Sequence, residues 1–132
     1  MMSNLLGTFS LRDKVAVITG GGGELCSHMA IALGSMGTMV AVLDLDLEKA
    51  DYVAAKIEKS GGSAIALACD VLNTGELESC HEKVCHKWGA VDLLIPGAGG
   101  NDPRATTDQE FLTVQGQPSE PGNGFFDLDL DG

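Results

Sequence analysis

Unbroken apolar runs alternate with helically spaced segments over the first hundred residues of this chain. Val15-Ala-Val-Ile-Thr19 is a short β-branched run without polar alternation, the pattern of a strand buried on both faces. Gly20, Gly21, Gly22 and Gly23 follow at once. Leu25, Met29, Ala32, Leu33 and Met36 then recur at helical spacing, until Gly34 and Gly37 close the element. Residues 38–43 predict a second buried strand, trailed by Asp44 and Asp46. Residues 48–60 predict a helix with Val53 and Ile57 inward and Gly61-Gly62 as its stop. A third strand over 64–69 runs into Asp70-Val71. Asn73 or Thr74 can cap a helix that reaches Trp88, with Leu77, Val84 and Trp88 on one face and Gly89 closing it. Residues 91–95 predict a fourth strand, leading into Pro96-Gly97-Ala98-Gly99-Gly100. The order β-α-β-α-β-α-β with short connections predicts an α/β fold: a doubly wound parallel sheet with helices on its faces.

Composition narrows the partners. The 132 residues carry 8 basic and 19 acidic side chains, a formal charge of −11. A pI near 4.4 and the lack of a basic stripe argue against nucleic acid. The charge is uneven: residues 1–100 hold 7 basic and 12 acidic groups, and residues 101–132 hold 1 and 7. No apolar run reaches the roughly 18 residues of a membrane span. The N-terminal residues lack the basic and apolar regions of a secretory signal, so the expectation is a cytoplasmic chain whose Cys26, Cys69, Cys80 and Cys85 stay reduced.

A strand that runs through glycines into a helix is physically an anion site. The glycines allow tight turning and close backbone approach, while the helix start offers free N–H groups and the positive end of its dipole. Glycine clusters also occur in plain surface caps; the order of elements favours the ligand. Asp44 ends the next strand, 24 residues after Gly20. A carboxylate there accepts hydrogen bonds from a ribose diol and repels a 2′-phosphate, which points to NAD rather than NADP and to a Rossmann-type arrangement.

These residues resemble the short-chain dehydrogenase/reductase family. Thr19-Gly20-Gly21-Gly22-Gly23-Glu24-Leu25-Cys26 is similar to its Thr-Gly-x-x-x-Gly-x-Gly turn, Asp70-Val71 to its acidic pair beside the adenine, and Pro96-Gly97-Ala98-Gly99 to its Asn-Asn-Ala-Gly. The resemblance covers about residues 9 to 100. Gly99 to Pro103 and the terminal Phe125-Phe126-Asp127-Leu128-Asp129-Leu130-Asp131-Gly132 further resemble the D-mannonate oxidoreductase (fructuronate reductase) branch. The resemblance implies that Gly20, Gly21, Gly22, Gly23 and Leu25 hold the pyrophosphate and Asp44 the adenosine ribose. It places Asp70 and Val71 at the adenine, and Gly97, Ala98 and Gly99 beside the nicotinamide half. Glu24, Cys26 and Pro96 are among the departures from the motifs. Glu24 and Cys26 replace the second and third motif glycines, and Pro96 replaces an asparagine and removes a donor. Glu24 either crowds the pyrophosphate or points outward and favours the helix start.

The family's catalytic serine and its Tyr-x-x-x-Lys pair follow the fourth strand, and this chain has one tyrosine, Tyr52. Lys56 sits four residues on, but both fall on the helix between strands two and three. There the spacing means only a shared helix face. No catalytic residue is therefore expected here. Residues 9–110 form the dinucleotide-binding portion, truncated after about the fourth strand; 111–132 form a mobile loop and the start of a cut helix. The expected reading is the N-terminal half of an NAD-dependent oxidoreductase whose intact parent, a homo-oligomer, acts on a small sugar acid. The alternative is a non-catalytic remnant or interaction fragment. No metal is expected. Asp127-x-Asp129-x-Asp131-Gly132 copies the opening of a calcium loop without its later glutamate, and Cys80-His81 and Cys85-His86 lack a second pair at zinc spacing.

Overall fold

A computed structural model describes residues 7–100. The chain divides into two compact units, Met1–Ala98 and Gly99–Gly132, and all the elements below belong to the first. They are β1 (Val15–Thr19), α1 (Glu24–Ser35), β2 (Met39–Asp44), α2 (Leu47–Lys59), β3 (Ser63–Ala68), α3 (Thr74–Trp88) and β4 (Leu93–Pro96). Each predicted element is present, with ends displaced by a residue or two. The expectations for 101–132, including the loop, the cut helix and the Asp127–Asp131 run, lie outside the described residues.

The four strands are parallel in the order β3-β2-β1-β4. Thr19 on β1 stands beside Leu43 of β2 and Pro96 of β4. Strand-to-strand crossovers are right-handed, so successive steps in one direction put their helices on one face and a reversal puts the next on the other. That is the arrangement seen. Ile18, Val40, Val42 and Ala64 pack with Cys26 and Ala30 of α1 and with Ala50, Val53, Ala54 and Ile57 of α2. On the opposite face Val15, Val17, Ala41, Leu43 and Cys69 pack with Cys80 and Val84 of α3, with Leu77, Trp88 and Val91 partly buried around them. The reversal between β1 and β4 is the sheet's topological switch point, where open α/β sheets bind ligands.

The helix ends have identifiable chemical causes. Asp46 caps α2 by accepting from the amides of Glu48 and Lys49, and Asn73 caps α3 by accepting from those of Gly75 and Glu76. At the other end of α2, Gly61 turns left-handed at φ +85°, and the amides of Gly61 and Gly62 donate to the carbonyls of Glu58 and Ile57 at 2.9 and 3.0 Å. This pair of bonds is a Schellman closure. The start of β4 is tied to β1 by Asp92, whose carboxylate accepts from the Val15 amide at 2.9 Å and from Lys14 Nζ at 3.2 Å. The Val15 amide first, and then the lysine, holds that carboxyl below its ordinary value.

Helix α1 corrects one expectation. Of the residues whose spacing marked it, Leu25, Met29 and Met36 are exposed, and Cys26, Ala30 and Gly34 are the buried ones. Gly34 does not close the helix but lies within it, where a Cβ would collide with Ile57 Cγ2 of α2. Small residues at i, i+4 and i+8 let α1 settle close to the sheet and to α2; the larger side chains are pushed outward.

Candidate functional site

The glycine turn is built by contacts from three strands. Gly20 adopts φ +62°, a left-handed conformation costly for any L side chain, and a Cβ on it would lie 2.8 Å from Cα of Ala98. The backbone leaving β1 therefore runs directly against the backbone leaving β4. Gly21 donates to the Leu43 carbonyl at 2.9 Å, which pins the turn to the end of β2. Gly22 donates to Asp44 Oδ2 at 2.9 Å. Gly23 is the N-cap of α1, and no side chain bonds the first-turn amides there. Those amides and the positive end of the α1 dipole make the start of the helix chemically suited to an anion.

Asp44 is half-buried, and its two oxygens accept from Gly22 and from the Asp46 amide at 2.9 and 3.0 Å. A carboxylate offers about four acceptor sites, so two remain for a diol. Lys49 pairs with Asp46 Oδ2 at 3.7 Å, leaving Asp44 outside that ion pair. The Asp44 carbonyl accepts from the Cys69 amide at 2.9 Å, which sets the chain leaving β3 beside it. Asp70 and Val71 come next, both half-buried. Asp70 is oriented from two sides: its carboxylate accepts from the Leu72 amide at 2.9 Å, and its own amide donates to Glu76 at 2.8 Å.

At the end of β4, Gly97 and Ala98 are exposed, and the Ala98 amide donates to Thr19 Oγ1 at 3.2 Å. The turn glycines, Asp44, Asp70, Val71, Gly97 and Ala98 all lie at the carboxyl ends of the parallel strands. Leu25 is exposed on the first turn of α1, and Gly99 opens the second unit. Sequence reasoning missed the bond by which Thr19 holds Ala98, although a threonine ending an apolar strand was visible. It also missed the seat of Cys26 against Gly97, which no spacing announces.

The other groups weighed in the sequence fall away from this edge. Tyr52 and Lys56 share the outer side of α2, with Lys56 Nζ 4.4 Å from the ring centroid. His81 Nε2 lies 3.3 Å from Cys85 Sγ on α3. Among the described residues no cluster of three or more potential metal ligands occurs. Cys69, just after β3, and Cys80, on α3, are both buried. Burial first, then the neighbouring Cys80 thiol, pushes Cys69 up to about 11. Among the described residues no helix is long and apolar enough to cross a membrane.

Comparison with known proteins agrees with this geometry. The profile of the short chain dehydrogenase family matches residues 14–115. The chain is 48% identical over 120 residues to an uncharacterized oxidoreductase, UxuB, of Bacillus subtilis, covering 91% of this chain and 42% of that protein. It is 42% identical over 129 residues to an uncharacterized oxidoreductase of Haemophilus influenzae, covering 98% of this chain and 45% of that one. A Haemophilus crystal structure described as a candidate D-mannonate oxidoreductase with bound NAD superposes with a TM-score of 0.78 at 41% identity, over 98% of this chain and 45% of that chain. The chain thus spans less than half the length of these relatives. With four parallel strands, a glycine turn and a profile match across most of its length, it belongs to the short-chain dehydrogenase family.

Proposed function

We propose that this chain is the NAD-binding portion of a short-chain oxidoreductase that transfers hydride between NAD(H) and the carbonyl or hydroxyl of a sugar acid of the D-fructuronate/D-mannonate kind. The observation that carries the dinucleotide half is the Gly22–Asp44 bond. One carboxylate braces the anion-binding turn and still keeps acceptor capacity for a ribose. The cradle fits the group, since the turn has no room for side chains at Gly20, Gly21 or Gly22 and α1 starts without a side-chain cap. Its α1 amides and Gly20, Gly21, Gly22, Gly23 and Leu25 would line the pyrophosphate. Asp44 would take the adenosine ribose, Asp70 and Val71 the adenine, and Gly97, Ala98 and Gly99 the nicotinamide side. When bound, NAD supplies the hydride chemistry; these residues bind and orient it. The relative with bound NAD supports the cofactor, and its description supports the substrate class.

The proton-transfer groups of the family are a serine and a Tyr-x-x-x-Lys pair, and Tyr52 with Lys56 on α2 does not serve in their place. Binding without turnover is the expected behaviour of the 132 residues. Titration calorimetry tests this: NAD⁺ binds, NADP⁺ binds more weakly, and Asp44→Ala weakens NAD⁺ by about tenfold or more through the lost ribose bonds and the loosened turn. No heat with NAD⁺ on a folded sample, or an unaffected Asp44→Ala variant, would sink the reading. NADH oxidation with D-fructuronate by this chain would overturn the expected inactivity.

One observation favours a second reading, that of an association-prone fragment. Among the described residues β4 pairs only with β1, and its Leu94 is 63% exposed. An apolar strand edge of this kind templates association. A monomeric mass by light scattering would exclude that reading.

A further inference from the structure

Two departures from the family motifs meet in space. Cys26 on α1 stands where the resembled motif carries its last glycine, and Gly97 after β4 stands where the other carries an asparagine. In the structure a Cβ built on Gly97 would fall on Cys26 Sγ. The same Cβ would stand 3.6 Å from Cys26 Cβ, an ordinary contact, and 2.9 Å from the Thr19 carbonyl oxygen. Both contacts are closer than real Cβ atoms come, the sulfur by more; the sulfur ends a side chain, whereas the carbonyl belongs to the backbone of β1. Cys26 is 8% exposed and belongs to the cluster that joins α1, α2 and the sheet.

We propose that Cys26 and Gly97 are a positioning pair. The thiol on α1 fills the volume that a side chain on residue 97 would take, and so sets how closely the start of α1 and the end of β4 approach at the switch point. The functional part of this rests on the dinucleotide reading above. The strand order says which part of the ligand feels the pair. Asp44 lies on the β2 side of β1, and Gly97 follows β4 on the other side. A dinucleotide that straddles the end of β1 spans both; a mononucleotide held by Asp44 needs only the β2 side. Widening the seam must weaken NAD⁺ while leaving AMP almost untouched, a split that general loss of stability does not produce.

The test is a double-mutant cycle on the 132-residue chain, with Gly97→Ala, Cys26→Ala and the two combined. Affinities for NAD⁺ and AMP and the thermal midpoint are read for each. Overpacking predicts that Gly97→Ala weakens NAD⁺ by about tenfold and AMP by less than about twofold, and lowers the midpoint. Cys26→Ala removes the sulfur and leaves the 2.9 Å approach to the Thr19 carbonyl, so the double variant should regain at least about threefold in NAD⁺ affinity over Gly97→Ala, with part of the midpoint. A double variant no better than Gly97→Ala overturns the pair and assigns the constraint to the Thr19 carbonyl. Equal losses for NAD⁺ and AMP overturn its positioning role. If Gly97→Ala does not fold, a folded double variant supports the pair, and an unfolded one refutes it. Failure of the parent to bind NAD⁺ would instead remove the dinucleotide reading; the thermal cycle would still decide whether the two residues compete for one volume.

Discussion

The two faces of the sheet are packed by different means. On the face of α1 and α2, elements touch through glycines and alanines: Gly34 and Gly62 press on Ile57, and Ala30, Ala50 and Ala54 are buried between helix and strand. On the face of α3 a single helix covers Val15, Val17, Ala41, Leu43 and Cys69 through Val84, the Cys80 thiol and the flanks of Leu77 and Trp88, and Leu94 stays exposed. The glycine turn hangs from the first face, at the start of α1. Close backbone approach there leaves few adjustable side chains around the turn. The α3 face has larger, more forgiving contacts and carries no part of the turn.

That contrast can be broken by truncation. Ile57 is 1% exposed and lies against Gly34 of α1 and Gly62 beyond the end of α2, and Ile57→Ala should cost about 2–5 kcal/mol in urea unfolding. Val84→Ala on the other face should cost about 1–3 kcal/mol, because fewer carbons are lost. Costs that scale only with the carbons removed would mean that the faces are equally tight, and a larger cost at Val84 would make the α3 face the tighter one. A smaller effect sharpens the picture. Gly34→Ala gains about 1 kcal/mol of helix propensity but overpacks Ile57, for a net loss of about 1–2 kcal/mol. A neutral result would show that α1 can lift from α2 freely. Relief by Ile57→Val in the same chain would confirm the contact.

A pH-dependent effect concerns the Cys69 and Cys80 thiols on the α3 face. Cys69 titrates near 11 in the folded chain against 9.0 ordinarily, since burial and the Cys80 thiol disfavour its thiolate. The unfolded chain gives up that proton first as pH rises. This contribution to stability is complete below pH 9 and is lost as pH climbs toward 11. The urea midpoint should therefore fall over that window by more in the parent than in Cys69→Ala; parallel curves would contradict a protected thiol.

How much of this was legible in one dimension differs by element. Strand β1, helix α2 with Val53 and Ile57 inward, the Asn73 cap and the Gly89 stop follow from local patterns, because burial on both faces, a 3.6-residue stripe and end-capping are each encoded within a few residues. Helix α1 was legible as a helix but not in its facing. When the inner side is made of Cys26, Ala30 and Gly34, the large apolar residues no longer mark the core. The site divides in the same way. The glycine turn and the acid ending β2 stand in readable order; the bond from Gly22 to Asp44, the bond from Ala98 to Thr19 and the meeting of Cys26 with Gly97 do not.

By itself, then, the sequence determined the alternation of strands and helices, the glycine turn between β1 and α1 and the family to which the chain belongs. Each of these depends on neighbours along the backbone. Only the tertiary structure decided which face of α1 is inward, that β4 lies against β1, and that a thiol and a glycine 71 positions apart share one space. The reason is that strand order and close approach are settled by chirality of connection and by volume filled across the sheet, quantities that have no period in the chain.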